Sequence, residues 1–262
     1  MRPSLVALDL DGTLLTSDKR ITARAETAVR ALTTRGVRVL LCTGRPPRGT
    51  RTYAAQLGLG EALVYNGAAR YDFERDEARD VQALPGPRAR EVIGQVRTAF
   101  PGVLAGLEST DGWFLDEALY ALRRPQLRGQ PDGVGAIEGF TNGGAIKIFF
   151  RHPDHSACDL LKALAGLDIY ATWSGETLLE VMHPKVSKRN ALARMADRLG
   201  IAREAVAAFG DGHNDHEMVG WAGLGVAPAN GSSAVRAVAD EVTTSNDEDG
   251  VARVLERWLE AG

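Results

Sequence analysis

Cysteine is nearly absent from this 262-residue chain, with Cys42 and Cys158 standing far apart and alone. That pattern excludes a disulfide framework and a cysteine metal site, and it leaves Cys42, inside an apolar segment, as a small core residue. Charge imbalance is lacking too. Against 31 basic side chains stand 34 acidic ones, a net charge of -3, which gives no electrostatic basis for a nucleic-acid partner. No apolar run approaches the ~20 residues of a membrane span, and the first apolar stretch runs straight into Asp9 and Asp11, unlike a signal peptide. The expectation is a cytoplasmic protein with no membrane partner. Internal repeats and low-complexity segments are also missing, and 44% apolar residues supply enough core for one large domain or two modest ones.

What the chain does have is a pair of acids directly behind its first apolar run. Leu5 to Leu8 reads as a buried parallel strand, so Asp9-Leu10-Asp11-Gly12-Thr13 falls at its carboxyl end, where open α/β sheets bind ligands. Two like charges ~4 Å apart repel by roughly 4 kcal/mol near a protein surface, so such crowding implies a cation, a shared proton or a chemical task. An ordinary Asp-Gly turn is the simplest alternative. A calcium loop fails on spacing, because Gly12 is fourth in the motif rather than sixth and the twelfth residue is Arg20 rather than Glu.

The strand-helix rhythm continues behind this turn. Thr22 is placed to cap a helix whose apolar face is Ala25, Ala28, Val29 and Leu32, with Gly36 at its end. Val37 to Cys42 is a second strand, ending in Thr43-Gly44-Arg45; Ala62 to Tyr65 is a third, ending in Asn66-Gly67. Such alternation predicts a Rossmann-like, doubly wound parallel sheet. Pro85-Gly86-Pro87 reads as a linker, after which consecutive strands such as Ile169 to Trp173 and Thr177 to Met182 predict an inserted α+β domain. Alternation resumes past Pro184. The expected division is a core of residues 1–83 and 183–262 with an insert of residues 84–182.

Strand Ala205 to Phe209 ends in Gly210-Asp211-Gly212-His213-Asn214-Asp215, a third polar motif at a strand end, and one parallel sheet would bring all three to one crevice. Asp9, Asp11, Asp211 and Asp215 then surround one pocket, a hard-oxygen environment suited to Mg²⁺ and a substrate phosphate. His213 and His216 are expected to face solvent rather than bind a transition metal. Thr43 and the Gly44 amide are neutral donors for phosphoryl oxygens at a helix start, and Lys188 near the first turn of the helix that follows the insert would add positive charge.

These residues resemble a known family. Asp9-Leu10-Asp11-Gly12-Thr13, Leu41-Cys42-Thr43-Gly44-Arg45, Val186-Ser187-Lys188 and Gly210 to Asp215 look like the four motifs of the haloacid dehalogenase-like superfamily. Their order and spacing, Asn66-Gly67 and the tail Ser245-Asn246-Asp247-Glu248-Asp249-Gly250 are similar to the Cof-type phosphatases, which insert a large α/β cap between the second and third motifs. Arg189 departs from that group, which usually has Gly after the motif lysine.

The resemblance implies a Mg²⁺-dependent phosphatase acting on a small phosphorylated metabolite, most readily a sugar phosphate. Asp9 would be the nucleophile and Asp11 the general acid and base. Asp9, Asp11 through its main-chain carbonyl, and Asp211 would bind the metal, with Asp215 orienting the metal's waters or Lys188. Thr43, Gly44, Lys188 and Asn214 would hold the phosphoryl oxygens, and Arg45 would either reach the leaving group or pair with an acid. The cap would choose the substrate, with Trp113, Lys147, Trp173, Glu180 and His183 as candidate contacts. A phosphomutase and a non-catalytic phosphate sensor are the alternatives on the same fold; the sequence carries no signal of oligomeric state.

Overall fold

A computed structural model describes residues 3–127 and 129–260. The chain divides into two compact units, with boundaries between Asp80 and Val81 and between Val186 and Ser187. The first unit opens with β1 (Leu5–Leu8), α1 (Ala23–Thr34), β2 (Arg38–Cys42), α2 (Pro47–Leu57), β3 (Glu61–Val64), β4 (Ala69–Asp72) and β5 (Glu77–Arg79). The second contains α3 (Gly86–Ala99), β6 (Leu104–Glu108), β7 (Trp113–Leu115), α4 (Glu117–Arg123), β8 (Gly133–Val134), β9 (Lys147–Arg151), α5 (Ala157–Lys162), β10 (Tyr170–Ser174) and β11 (Leu178–Met182). The chain then returns to the first unit through α6 (Lys188–Leu199), β12 (Val206–Phe209), α7 (His216–Trp221), β13 (Leu224–Pro228), α8 (Ser233–Val238), β14 (Glu241–Thr243) and α9 (Gly250–Glu260).

Among the described residues of the first unit, eight strands form one sheet in the order β14-β13-β12-β1-β2-β3-β4-β5. Strands β14 to β3 in that order run parallel, and every residue of β1 and β12 is buried, as strands covered on both faces must be. From β1 the chain winds outward through β2 and β3, and after the second unit it winds the other way through β12 to β14. The crevice beside β1 and β12 is therefore the switch point at which such sheets bind ligands. The register sets Leu8 beside Phe209 and Leu41, so Asp9, Gly210 and Cys42 lie side by side at the carboxyl edge of the sheet.

Local sequence dictates the helix boundaries. Thr22 caps α1 by accepting from the Ala25 amide, and Ala25, Ala28, Val29 and Leu32 form its buried face; each Val or Leu so buried contributes about 1.5–3 kcal/mol. Ser187 and Ser232 cap α6 and α8 in the same way, accepting from the amides of Asn190 and Val235.

One local expectation is corrected. Gly86 and Pro87 are the first residues of α3 rather than a linker, because Pro lacks only an amide hydrogen that the first helical turn does not use. The parallel sheet is also extended by the antiparallel pair β4 and β5. Apart from buried Ala69, their residues are half-buried or exposed, and Ala-Arg-Tyr-Asp and Glu-Ala-Arg form an edge without the apolar run that marks a central strand.

Among the described residues of the second unit, six strands form one sheet, β10-β11-β9-β6-β7-β8, antiparallel except for β7 with β8. Val92, Ile93 and Val96 of α3 and Ala157 and Leu160 of α5 join Ala105, Leu107, Ile148, Phe150, Leu179 and Val181 in one apolar cluster. Among the described residues, no helix is long and apolar enough to cross a membrane.

Cys42 is fully buried and burial pushes its thiol up to about 12, whereas Cys158 is exposed. Titration of the native protein with a thiol reagent at neutral pH should therefore modify one cysteine, and urea should expose the second. Two fast-reacting thiols in the native state would contradict this packing.

Candidate active site

Asp9 emerges from β1 almost fully buried, and its carboxylate meets Lys188, the first residue of α6, where the chain has returned to the first unit. Lys188 Nζ donates to Asp9 Oδ1 at 2.5 Å and to Asp215 Oδ1 at 2.6 Å, and both Lys188 and Asp215 have 0% exposure. A buried lysine is tolerable only when paired. Burial alone would lower the Lys188 pKa, but Asp215 and Asp9 outweigh it and hold the ammonium charged. Burial pushes the Asp9 carboxyl well above its ordinary range, with Asp215 and Asp211 adding to the effect and Lys188 opposing it. The same causes, burial and then the neighbouring Asp215, raise Asp211 to about 6.

Asp215 is tied from its other oxygen as well. The amides of Asp211 and Gly212 donate to its Oδ2 at 3.2 and 3.0 Å, closing the loop after β12 around this carboxylate. Asp211 accepts a 2.7 Å bond from Thr13 Oγ1, which joins the two acidic turns directly. Their approach is so close that Gly12, at φ +81°, admits no side chain: a Cβ there would lie 2.4 Å from Asp211 Oδ2. Oxygens of Asp9, Asp211 and Asp215 lie within 4.8 Å of one another. Three carboxylates with hard oxygen donors and no sulfur or imidazole fit Mg²⁺.

Asp11 turns elsewhere. Arg45 Nε and Nη2 grip its two oxygens at 2.5 and 2.7 Å, and Lys19 Nζ adds a bond at 2.8 Å. Burial raises the Asp11 carboxyl, but these cations prevail and hold it at about 2. Arg45 thus takes the acid-pairing course. Its guanidinium also lies 5.1 Å from the centre of the Tyr53 ring, and the Tyr53 hydroxyl donates to the Lys19 carbonyl.

The ends of β2 and β3 are stitched together beside this cluster. The Asn66 amide donates to the Thr43 carbonyl, and the Tyr65 amide to that of Arg45. Asn66 is fully buried at φ +57° and accepts a 2.8 Å bond from Asn214 Nδ2, while a Cβ on Gly44 would sit 3.0 Å from the same Asn66 oxygen. Thr43, Gly44, Asn66 and Asn214 therefore form one polar group. The helix after this turn starts only at Pro47, so the Gly44 amide lies in a loop rather than at a helix start.

Sequence reasoning did not assign Asn66, Lys19 or Tyr53 to the site. The Asn66-Gly67 dipeptide at a strand end was the one visible signal; a lone Lys and Tyr carry none. His213 is exposed and His216 half-buried, neither in the acidic cluster. In the second unit, Lys147 and Glu180 are buried and bonded to each other at 2.6 Å, Trp173 packs on the apolar cluster, Trp113 packs with Leu115 and Leu119, and half-buried His183 accepts from the Lys185 amide. A cleft of about 680 Å³ lies at the opposite, amino ends of β2 and β3; its Arg38, Arg70 and Arg79 are paired with Glu61, Asp80, Asp72 and Glu77.

The doubly wound sheet thus sets a buried lysine among three carboxylates at its switch point. The profile of the haloacid dehalogenase-like hydrolases matches residues 6–255, and the chain belongs to that family. It is 28% identical over 267 residues to 5-amino-6-(5-phospho-D-ribitylamino)uracil phosphatase YitU of Bacillus subtilis (strain 168), spanning 98% of each chain. Similarity to the HMP-PP phosphatase of Serratia proteamaculans (strain 568) is 28% over 265 residues, covering 97% of this chain and 95% of the other. The crystal structure of a haloacid dehalogenase-like hydrolase from Bacteroides thetaiotaomicron matches with a TM-score of 0.77 at 27% identity, over 98% of this chain and 99% of that one.

Proposed function

We propose that this enzyme hydrolyses small phosphate monoesters, with sugar or polyol phosphates as the preferred class, through a phosphoryl group carried on Asp9. The observation that carries this reading is the buried Asp9–Lys188–Asp215 cluster at the switch point, with Asp211 beside it. Asp9, Asp211 and the main-chain carbonyl of Asp11 would hold Mg²⁺, with Asp215 completing the acidic surroundings. When bound, the ion neutralises negative charge on the transferring group.

The chain's own residues divide the remaining work. The Asp9 carboxylate forms a bond to phosphorus as the bond to the leaving oxygen breaks, and that oxygen takes a proton from Asp11. Water then attacks the phosphorus, Asp11 takes its proton, inorganic phosphate departs and Asp9 is restored. Held by Arg45 and Lys19, Asp11 is ionised, the form needed to accept the water's proton. Its acid role requires these cations to let go as a leaving group arrives, a task suited to the mobile ends of long side chains. Lys188, Thr43, the Gly44 amide and Asn214 supply donors for the phosphoryl oxygens. We assign the choice of leaving group to the second unit.

Support for the substrate class comes from the relatives. YitU acts on a phosphorylated ribityl group, as its name states, and its likeness spans both chains nearly end to end. A panel of phosphorylated metabolites assayed for phosphate release, with Mg²⁺ and with EDTA, tests the reading. Release from sugar or polyol phosphates that EDTA abolishes is the expected result. Phosphate release undiminished in EDTA would remove the metal from the account, and no release from any monoester would overturn the function.

A further inference from the structure

The tail motif Asn246-Asp247-Glu248-Asp249 takes no part in the chemistry above, yet the structure lays it on the turn that carries both N-terminal acids. Asn246 Nδ2 donates to the Leu15 carbonyl at 2.8 Å in a buried bond. Its main-chain amide donates to Asn230 Oδ1 at 2.9 Å, and Asn230 Nδ2 in turn donates to the Gly12 carbonyl at 2.8 Å. Asp247 accepts from the amide and hydroxyl of Ser17, and Asp249 from the hydroxyl of Thr22.

We propose that Asn230 and Asn246 are positioning residues that fix the nucleophile turn and hold it in register with Asp211. Of the turn's own bonds only one is short, from the Leu15 amide to the Leu10 carbonyl at 2.8 Å; the Thr13 amide reaches the same carbonyl at 3.4 Å and the Leu14 amide reaches that of Asp9 at 3.3 Å. At its centre is Gly12, the residue type whose flanking peptides reorient most freely. Two carbonyls of this turn, of Gly12 and Leu15, are each taken by a carboxamide from the last part of the chain, and the two asparagines are bonded to each other.

The loop that carries Asn230 also holds the second acidic turn, since the Ser232 amide donates to the Asp211 carbonyl at 2.9 Å. One loop thus touches the turn after Asp11 on one side and Asp211 on the other. A reacting group displaced by about 1 Å costs on the order of a hundredfold in rate, so loosening this brace acts on the chemical step.

This inference rests on the phosphatase reading for its kinetic arm and is independent of it for a structural arm. Asn230 is exposed, so Asn230→Ala preserves the fold; Asn246→Ala removes the buried half of the brace. With p-nitrophenyl phosphate as substrate, each variant should lose about tenfold in kcat with KM held within about twofold, the pattern of an interaction felt in the transition state. Because both act on one turn, the double variant should lose about as much as either alone. Hydrogen exchange of the segment 10–17, measured by mass spectrometry without substrate or metal, should accelerate in both.

Unchanged kcat in both single variants, or a kcat loss with unchanged exchange over 10–17, overturns the proposal. Multiplicative losses in the double variant also overturn it, since two independent sites would behave so. If the wild-type chain cleaves no monoester, the phosphatase reading falls and the exchange arm decides alone, with unaltered protection counting against the brace.

Discussion

Replacing Asp9 by Asn should abolish phosphate release, by at least about 10³-fold, while the protein folds as before. The carboxamide has nearly the shape of the carboxylate and keeps an oxygen to accept from Lys188, and Asp215 still pairs with that lysine. What it lacks is a negatively charged oxygen to attack phosphorus. Loss of a general electrostatic contribution would spare more of the rate, because Asp211 and Asp215 remain in the same cluster. Steady-state assays on freshly purified protein, paired with thermal melting, separate the two; near-full activity in Asp9→Asn would remove Asp9 from the covalent role.

A larger structural effect should follow from Lys188→Met. This one ammonium lies between two buried carboxylates with a third close by, and no part of it reaches solvent. Removing one partner of a buried ion pair leaves uncompensated charge and typically costs about 3–5 kcal/mol. Methionine fills much of the same volume, so packing loss adds little. In EDTA the urea midpoint should therefore fall by about 1 M or more. Activity should vanish as well if Lys188 is, as proposed, the cationic partner of the phosphoryl oxygens. A Lys188→Met protein as stable as the wild type would mean that the bonds from Lys188 to Asp9 and Asp215 do not hold the fold together.

Asn230 and Asn246 show what sequence reading misses. Asparagine between strands and helices reads as a turn former, and nothing in its neighbours tells that its carboxamide reaches a carbonyl more than two hundred residues away. Asn66 is similar: its strand-end position was legible, but its bond to Asn214 belongs to the tertiary structure. Lys188, alone in a polar helix start, looks like a surface residue until the return from the second unit buries it.

The acids, by contrast, were legible because each follows a short apolar strand buried on both faces, Leu5–Leu8 or Val206–Phe209, and such strands deliver their ends to one edge. The central parallel sheet could be read for the same reason. Its β4–β5 edge could not, because Arg70, Asp72, Glu77 and Arg79 make a strand pair whose stability comes from ladder bonds rather than an apolar face. Asp11 holds a middle place: its position was evident, but its grip by Arg45 and Lys19 depends on where the second strand end and the following loop come to lie.

In the proposed mechanism Asp9 carries the phosphoryl group. Acid quenching of the wild-type enzyme during turnover of a phosphate monoester, followed by mass spectrometry of its peptides, tests it directly. The expected result is one added phosphoryl group on the peptide containing Asp9, lost at neutral pH and absent from Asp9→Asn. Steady turnover with that peptide unmodified at every time point, or with the phosphoryl group on another residue, would contradict it.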